Sequence, residues 1–482
     1  MKKPTLFQSI AALAILIVLL AVNVLFLKDD FLNGGTQMAL LLSALAAGLI
    51  AWSNGVKWEK IEHEINHTLY TSMSAIMVLF FVGSIASTWM ISGVIPALIH
   101  YGLFILRPAW FLPAVVVIAS IVSVVTGSSW STIATTGVAM LGIGHSLGFN
   151  DAVVAGAIIS GAYFGDKISP LSDTTNLASG VVGTDLFNHV RYLTTTTIPS
   201  IVLTIVIFAL ISLFGKTSGD IDVSAIHSAI TGTFNISPLI FIVPLVVGWM
   251  IKKRVPAGVT LLAGSLLAML YAAIFQNGLL HTIAAENGTN IFTVLMGAFY
   301  RGGTIETGNA AVTDLLATGG MKGMLNTVWL IMCAMTYGGV MIAGGFLEAI
   351  TSALISKVKS DGGLITVAGI SCIVFNAATA DQYITLVLGG RMFSDAFKKH
   401  RLKPEVLSRT IEDCGTVTSV LIPWSSCGAT QSSVLGVATL AYLPFTFFCW
   451  ISPLMSMFSG WFNYKLRRLP DEAPAATDVN KQ

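Results

Sequence analysis

Four carboxylates stand where an apolar chain can least accommodate a charge: Asp166, Asp173, Asp381 and Asp413. Asp166 and Asp173 flank Pro170 in GDKISPLSDTTN (165–176), Asp381 interrupts an apolar run within TADQ (379–382), and Asp413 sits inside another beside Glu412. Oxygen-bearing side chains gather at the same interruptions. They are Thr126, Ser128 and Ser129; Thr174 and Asn176; Thr379; and Ser425 and Ser426 in PWSSCGATQSS (423–433). Carboxylate, hydroxyl and amide oxygens, with the carbonyls freed where a helix breaks, are what a hard alkali cation needs when it sheds water. A carboxylate near the bilayer centre is also costly to insert and is by default a functional candidate. Blander roles compete: Asp166 pairing with Lys167, Asp173 capping the helix that resumes at Thr174, Asp413 pairing with Arg409 one turn earlier.

The elements that must position these groups follow from composition. Of 482 residues, 54% are hydrophobic and only 10% charged, against about 25% charged in an average soluble chain. That argues against a soluble enzyme. A formal net charge of +2 leaves no basic field to hold nucleic acid, so no nucleic-acid partner is expected. The five cysteines all lie in apolar stretches and read as reduced, packed thiols. Apolar runs of span length recur along the chain, beginning with an uncleaved first helix after Lys2 and Lys3. The fold expected is an all-α polytopic membrane protein, its partner the lipid bilayer. KWEKIEHEINH (57–67) reads as a surface helix, and the tail 469–482 as disordered.

Basic residues gather around Lys57, Lys252, Lys357, Lys399 and Arg467, whereas 277–323 holds only Arg301 and Lys322. The positive-inside rule puts those clusters and both termini in the cytoplasm and 277–323 outside. Segment 363–395 starts and ends beside basic clusters, so it must turn back at its polar tip as a re-entrant hairpin. VTGSSWST (125–132) and ATADQYIT (378–385) stand 253 positions apart, as do SPLSDTT (169–175) and IPWSSCG (422–428). Each match falls on a polar interruption. Two inverted-topology repeats with re-entrant hairpins and broken helices follow, the first in 1–214 and the second in 236–466, the architecture of many secondary transporters.

At GAYFGDKISPLSDTTN (161–176) and DCGTVTSVLIPWSSCGAT (413–430) the sequence resembles the NhaC family of sodium/proton antiporters, over about residues 8–466. The resemblance implies a transporter in the plasma (inner) membrane that extrudes Na⁺ in exchange for H⁺, with the transported ions and no cofactor. Some relatives exchange malate and protons for lactate and sodium, and that alternative stays open, as does a homo-oligomer. On this reading Asp173 and Asp381 hold Na⁺, supported by Thr126, Ser128, Ser129, Thr174, Asn176, Thr379, Ser425 and Ser426. Asp166 and Asp413 join Asp173 and Asp381 in moving the proton. No cluster of Arg in the spans offers a carboxylate clamp, which favours simple cation/proton exchange. The competing class is an intramembrane serine protease using a Ser of GSSWS with His145 or His100, which would need one constellation where the chain shows two.

The topology is testable by labelling. A membrane-impermeant thiol reagent applied from outside should reach a cysteine placed at Asn287 and not one placed at Lys399; labelling at Lys399 would turn 363–395 into a true crossing.

Overall fold

Hydrocarbon offers a peptide group no partner, so each apolar run must satisfy its own backbone as a helix, and it can break only where other protein groups complete the hydrogen bonds. The computed structural model describes residues 2–27, 34–105, 107–214, 223–253, 255–308, 312–313 and 316–470. The tail beyond 470, expected to be disordered, lies outside them. The first half comprises α1 (Leu6–Leu27), α2 (Gly35–Ser53), α3 (Trp58–Ile91), α4 (Val94–Ile105), α5 (Pro108–Thr126), α6 (Ser129–Thr132), α7 (Val138–Ser146), α8 (Asp151–Ile168), α9 (Asp173–Val182) and α10 (Leu186–Phe214). Then come α11 (Val223–Thr233), α12 (Ile242–Lys252), α13 (Ala257–Phe275), α14 (Asn277–Glu286) and α15 (Ile291–Tyr300). The second half has α16 (Leu325–Ala343), α17 (Phe346–Ile355), α18 (Asp361–Thr379), α19 (Gln382–Lys399), α20 (Pro404–Ile411), α21 (Ser426–Leu435) and α22 (Phe447–Trp461). Among the described residues eight helices are long and apolar enough to cross a membrane, or ten if two bent pairs each count as one span. The protein is an all-α polytopic membrane protein. KWEKIEHEINH is not a separate surface helix: it forms the first turns of α3, which runs unbroken for 34 residues.

The repeat is written into the backbone. α5 and α18 start and end 253 positions apart, and the starts of α6 and α19, of α8 and α20, and of α9 and α21 keep the same offset. So do the left-handed residues that close the helices, Gly127 with Ala380 and Gly183 with Gly436. Pro170 and Pro423 stand in the two breaks at this spacing as well, where a missing N–H and a clashing ring stop a helix. Even side-chain bonds recur. Ser123 donates to the Ala162 carbonyl at 2.6 Å in the first half, and the Asn376 amide donates to the Gly415 carbonyl at 2.6 Å in the second. α1 and α2 precede the repeat and pack against α16 and α17.

Each half therefore pairs a helical hairpin with a broken helix. In the first, α5 turns at 127–128 into α6 and α7, which a π-helical turn (Ile133–Gly137) joins, and it packs along α8. Gly161 and Gly165 on α8 permit the contact: a Cβ at either would lie 2.3 Å from the Val116 carbonyl oxygen or 2.5 Å from that of Ser120. Small residues let helix backbones approach where lipid supplies no hydrophobic drive. In the second half α18 turns at 380–381 into α19 and packs on α20 and the π-helical turn Glu412–Thr416. All five cysteines are free and buried.

Gly127 carries the first tip. Its φ of 66° is left-handed, and a Cβ there would stand 2.7 Å from the Leu171 backbone carbon at the first break. Gly127→Ala combines a left-handed alanine with a backbone clash, so thermal unfolding in detergent should show a loss of more than about 1 kcal/mol. An unchanged midpoint would mean the tip and the break are not in contact.

Candidate cation site at the hairpin tips

The tips end helices at depth, so orphan N–H groups there need acceptors. Ser128 caps α6 by accepting from the Ser131 N–H at 3.2 Å, and Asp381, at the equivalent position, caps α19 by accepting from the Ile384 N–H at 3.0 Å. At the breaks, Ser425 caps α21 by accepting from the Gly428 N–H at 2.9 Å, and its counterpart Ser172 precedes α9. Each tip also bonds to its own break. The buried carboxylate of Asp166 accepts from both the hydroxyl and the N–H of Ser129, at 2.7 and 3.1 Å. In the second half the Ser426 N–H donates to the Ala380 carbonyl at 2.8 Å and the Ser426 hydroxyl to Asp381 at 3.4 Å.

The pair Ser129 and Asp166 corresponds at the repeat spacing to Gln382 and Ser419, which also meet, the Ser419 hydroxyl donating to the Gln382 oxygen at 3.3 Å. The pair Asp381 and Ser426 corresponds to Ser128 and Asp173. Acid and serine have exchanged places between the halves.

Where the halves meet lies a cavity of about 400 Å³. Ser128, Asp166, Asp173 and Thr174 line it from the first half and Gln382 and Tyr383 from the second tip. Thr71, Ser72 and Ser74 of α3 and residues 256–258, just beyond Lys252 and Lys253, complete the lining. Asp173 is exposed there, and its carboxylate makes no hydrogen bond among the described residues. It lies within electrostatic reach of Asp166, and Tyr383 within reach of Asp166, Asp173 and Asp381. No Lys, Arg or His lines the cavity among the described residues.

The other sequence candidates are placed differently. Thr379 and Asp381 are buried in the second tip and Ser425 and Ser426 in its break, and the Thr379 hydroxyl donates to the Phe375 carbonyl at 2.9 Å. Thr126 lies within the first tip, its hydroxyl 3.2 Å from that of Thr132. Asn176 is exposed, and its amide donates to the Ser172 and Pro170 carbonyls at 2.7 and 3.0 Å, bridging the break. Asp413 stands apart. It forms a fully buried ion pair with Lys167, accepts from Thr196 and Ser452 at 3.0 and 3.2 Å, and has the Arg409 Nε at 3.8 Å. Asp166 therefore does not pair with its sequence neighbour Lys167.

Sequence reasoning passed over several groups. Thr71, Ser72 and Ser74 form a TSMS patch just before the apolar run of α3, which was signal enough to find them. Glu412, fully buried, accepts from the Thr174 hydroxyl at 3.0 Å, while its second oxygen has no partner among the described residues. The π-helical turn points Glu412 toward α9 and Asp413 toward Lys167, a divergence that adjacency in sequence does not reveal. Arg409 and Lys167 are both buried, but both are occupied by Asp413 rather than facing the cavity, so they offer no carboxylate clamp there.

The profile of the Na⁺/H⁺ antiporter family matches residues 3–173 and 161–464. The Na⁺/H⁺ antiporter NhaC of Alkalihalophilus pseudofirmus is 36% identical over 460 residues, covering 95% of this chain and 96% of its own. The malate-2H⁺/Na⁺-lactate antiporter of Bacillus subtilis is 34% identical over 461 residues, 95% of each chain. The arginine/ornithine antiporter ArcD of Halobacterium salinarum is 34% identical over 480 residues, 98% of this chain and 95% of its own. Similar to these transporters along nearly all of its length and of theirs, the chain belongs to the Na⁺/H⁺ antiporter family.

Proposed function

We propose that this protein exchanges Na⁺ for H⁺ by alternating access, binding either ion in the cavity between the hairpin tips. The observation that carries the reading is the unpartnered carboxylate of Asp173, exposed in a cavity walled by hydroxyls and a second carboxylate, Asp166, with no cationic side chain lining it among the described residues. A dehydrated cation is stabilised there by negative charge and hydroxyl oxygens, and a proton on the same carboxylate cancels the attraction. Competition supplies the coupling. Asp381 contributes from the second tip through Tyr383 and Ser426. Asp166, tied to the first tip by Ser129, and the Lys167-bound Asp413 are the second choices for the proton's path.

The two halves, 1–214 and 236–466, are the units that rock about the cavity, and one wall of it, 256–258, lies a few residues after Lys252 and Lys253. The positive-inside rule puts that loop on the cytoplasmic face of the plasma membrane, with both termini on the same side. The transported ions are the only cofactors required.

A second reading, malate and proton uptake against Na⁺ and lactate, rests on the B. subtilis relative. The absence of a lining cation among the described residues weighs against a dicarboxylate. Proteoliposomes loaded with Na⁺ and monitored for internal pH, with and without external malate and internal lactate, separate the two: pH change without the organic acids supports simple exchange, and dependence on them supports the other.

Asp173→Asn or Asp381→Asn removes a titrating group at nearly constant shape, and in the latter the amide oxygen that replaces the carboxylate can still cap α19. Na⁺-driven proton movement in either variant should be lost, and a variant exchanging at the wild-type rate would remove that residue from the mechanism. The competition also fixes a sign with pH. Protons leave the shared carboxylates as pH rises, so apparent Na⁺ affinity should strengthen and then level off once competition ends. Affinity that stayed flat across the whole pH range over which the protein exchanges would send the proton by a separate route.

A further inference from the structure

The last described stretch of the chain, 463–470, doubles back over the ends of α18, α19 and α20 as a strap. The Arg468 guanidinium pairs with Asp361 at the start of α18 at 2.7 Å, and His400 meets the same carboxylate at 2.8 Å. The Lys403 N–H donates to the Arg467 carbonyl at 3.0 Å, and the Leu469 N–H to the Arg401 carbonyl at 2.8 Å. Arg467 pairs with Glu405 at 3.2 Å. These contacts alone would make the strap a terminal fastening.

What distinguishes it is Tyr192 of α10. Two guanidinium groups lie over the ring, Arg467 of the strap at 4.7 Å and Arg409 of α20 at 4.6 Å from its centroid. The hydroxyl donates to the strap's Lys465 carbonyl at 3.1 Å and accepts from Arg409 at 3.0 Å. Arg409 reaches Asp413, Asp413 holds Lys167, and Lys167 is the neighbour of Asp166, whose carboxylate holds the first hairpin tip. Beyond Arg467 every member of this chain is buried. A buried ion pair tolerates little displacement, because a charge that loses its partner there costs several kcal/mol.

We propose that the C-terminal strap sets the affinity of the cavity for Na⁺ through Tyr192, with Arg409 as a positioning residue. With the strap in place, Tyr192 holds Arg409 against Asp413, and the ion pair with Lys167 fixes the end of α8 so that Asp166 stays on the tip. When Arg467 leaves the ring, Tyr192 loses one of its two cation contacts, Arg409 moves, and α8 no longer presents Asp166 in a fixed place. The cavity is then less preorganised for a cation. The inference rests on the exchange reading above only in naming Na⁺ as the ion.

The full-length protein, its Arg467→Ala, Arg467→Lys and Tyr192→Phe variants and the Arg467→Ala/Tyr192→Phe double variant can be compared in proteoliposomes for the Na⁺ dependence of exchange at one pH. Arg467→Ala and Tyr192→Phe should each raise the apparent KM for Na⁺ about five-fold or more, the lower end of typical site-to-site coupling, with the maximal rate changed less. Arg467→Lys should return KM toward the wild-type value, and the double variant should do no worse than the stronger single one, since both cut the same chain. An unmoved KM in Arg467→Ala alongside a lower thermal midpoint would reduce the strap to a fastening and overturn the proposal, as would single effects that add. If Tyr192→Phe yields no folded protein, Arg467→Ala against Arg467→Lys decides alone. Na⁺-dependent thermal stabilisation reads the same affinities without transport, so a wild type that binds Na⁺ but exchanges no protons would sink the exchange reading and leave this one to be judged on binding.

Discussion

Everything in this molecule answers to one constraint: peptide groups exposed by a broken helix must be paired inside the protein when neither water nor lipid can serve them. Leaving one buried and unpaired costs about 1–3 kcal/mol, and four interruptions at depth expose many. The solution is reciprocal. Each hairpin tip is capped by its own Ser128 or Asp381, and each tip bonds to the break of its own half, by Ser129 to Asp166 in one and by Ser426 to Ala380 and Asp381 in the other. Tip and break thus form one unit, and Ser128, Asp166 and Asp173 of the first such unit face the cavity.

A second layer of buried charge lies behind the tips. Lys167, Arg409 and Asp413 are without solvent exposure, and such a cluster stabilises a fold weakly while punishing any partial loss heavily. Its geometric effect is larger than its energetic one. It ties α8, α10, α20 and α22 together at a single point through Lys167, Thr196, Arg409 and Ser452, so the broken helix of the first half cannot shift without the second half registering it.

Much of this was legible in the sequence because breaks are loud in an apolar chain. Pro170 and Pro423, the Ser and Asp around them, and the matched segments 253 positions apart located both breaks, and the hairpin tips fell where 127–128 and 380–381 interrupt their runs. Pairings were silent. Lys167 finds Asp413 in the other half rather than Asp166 next door, and Tyr192 finds two arginines from distant segments, because helix packing and not sequence distance decides neighbours. The charged start of α3 misled for a related reason: alternating charge marks a solvated helix face, and it says nothing of whether the helix continues into the membrane. The cavity's α3 wall was visible as a polar patch, yet nothing in the sequence said which break it would face.

The exchange of acid and serine between the halves has an energetic consequence. Tips with the same side chains in both repeats would contribute equally to the inward-open and outward-open forms. Here Asp173 stands free at one break while Asp381 is folded into the other tip, so that equality is lifted by whatever the two carboxylates differ in hydration and pairing. A gap of about 1.4 kcal/mol skews a two-state population ten to one. The forward and reverse cycles then share one thermodynamic driving force but start from unequally occupied states, and a transporter so built runs at different speeds in its two directions under equal and opposite gradients.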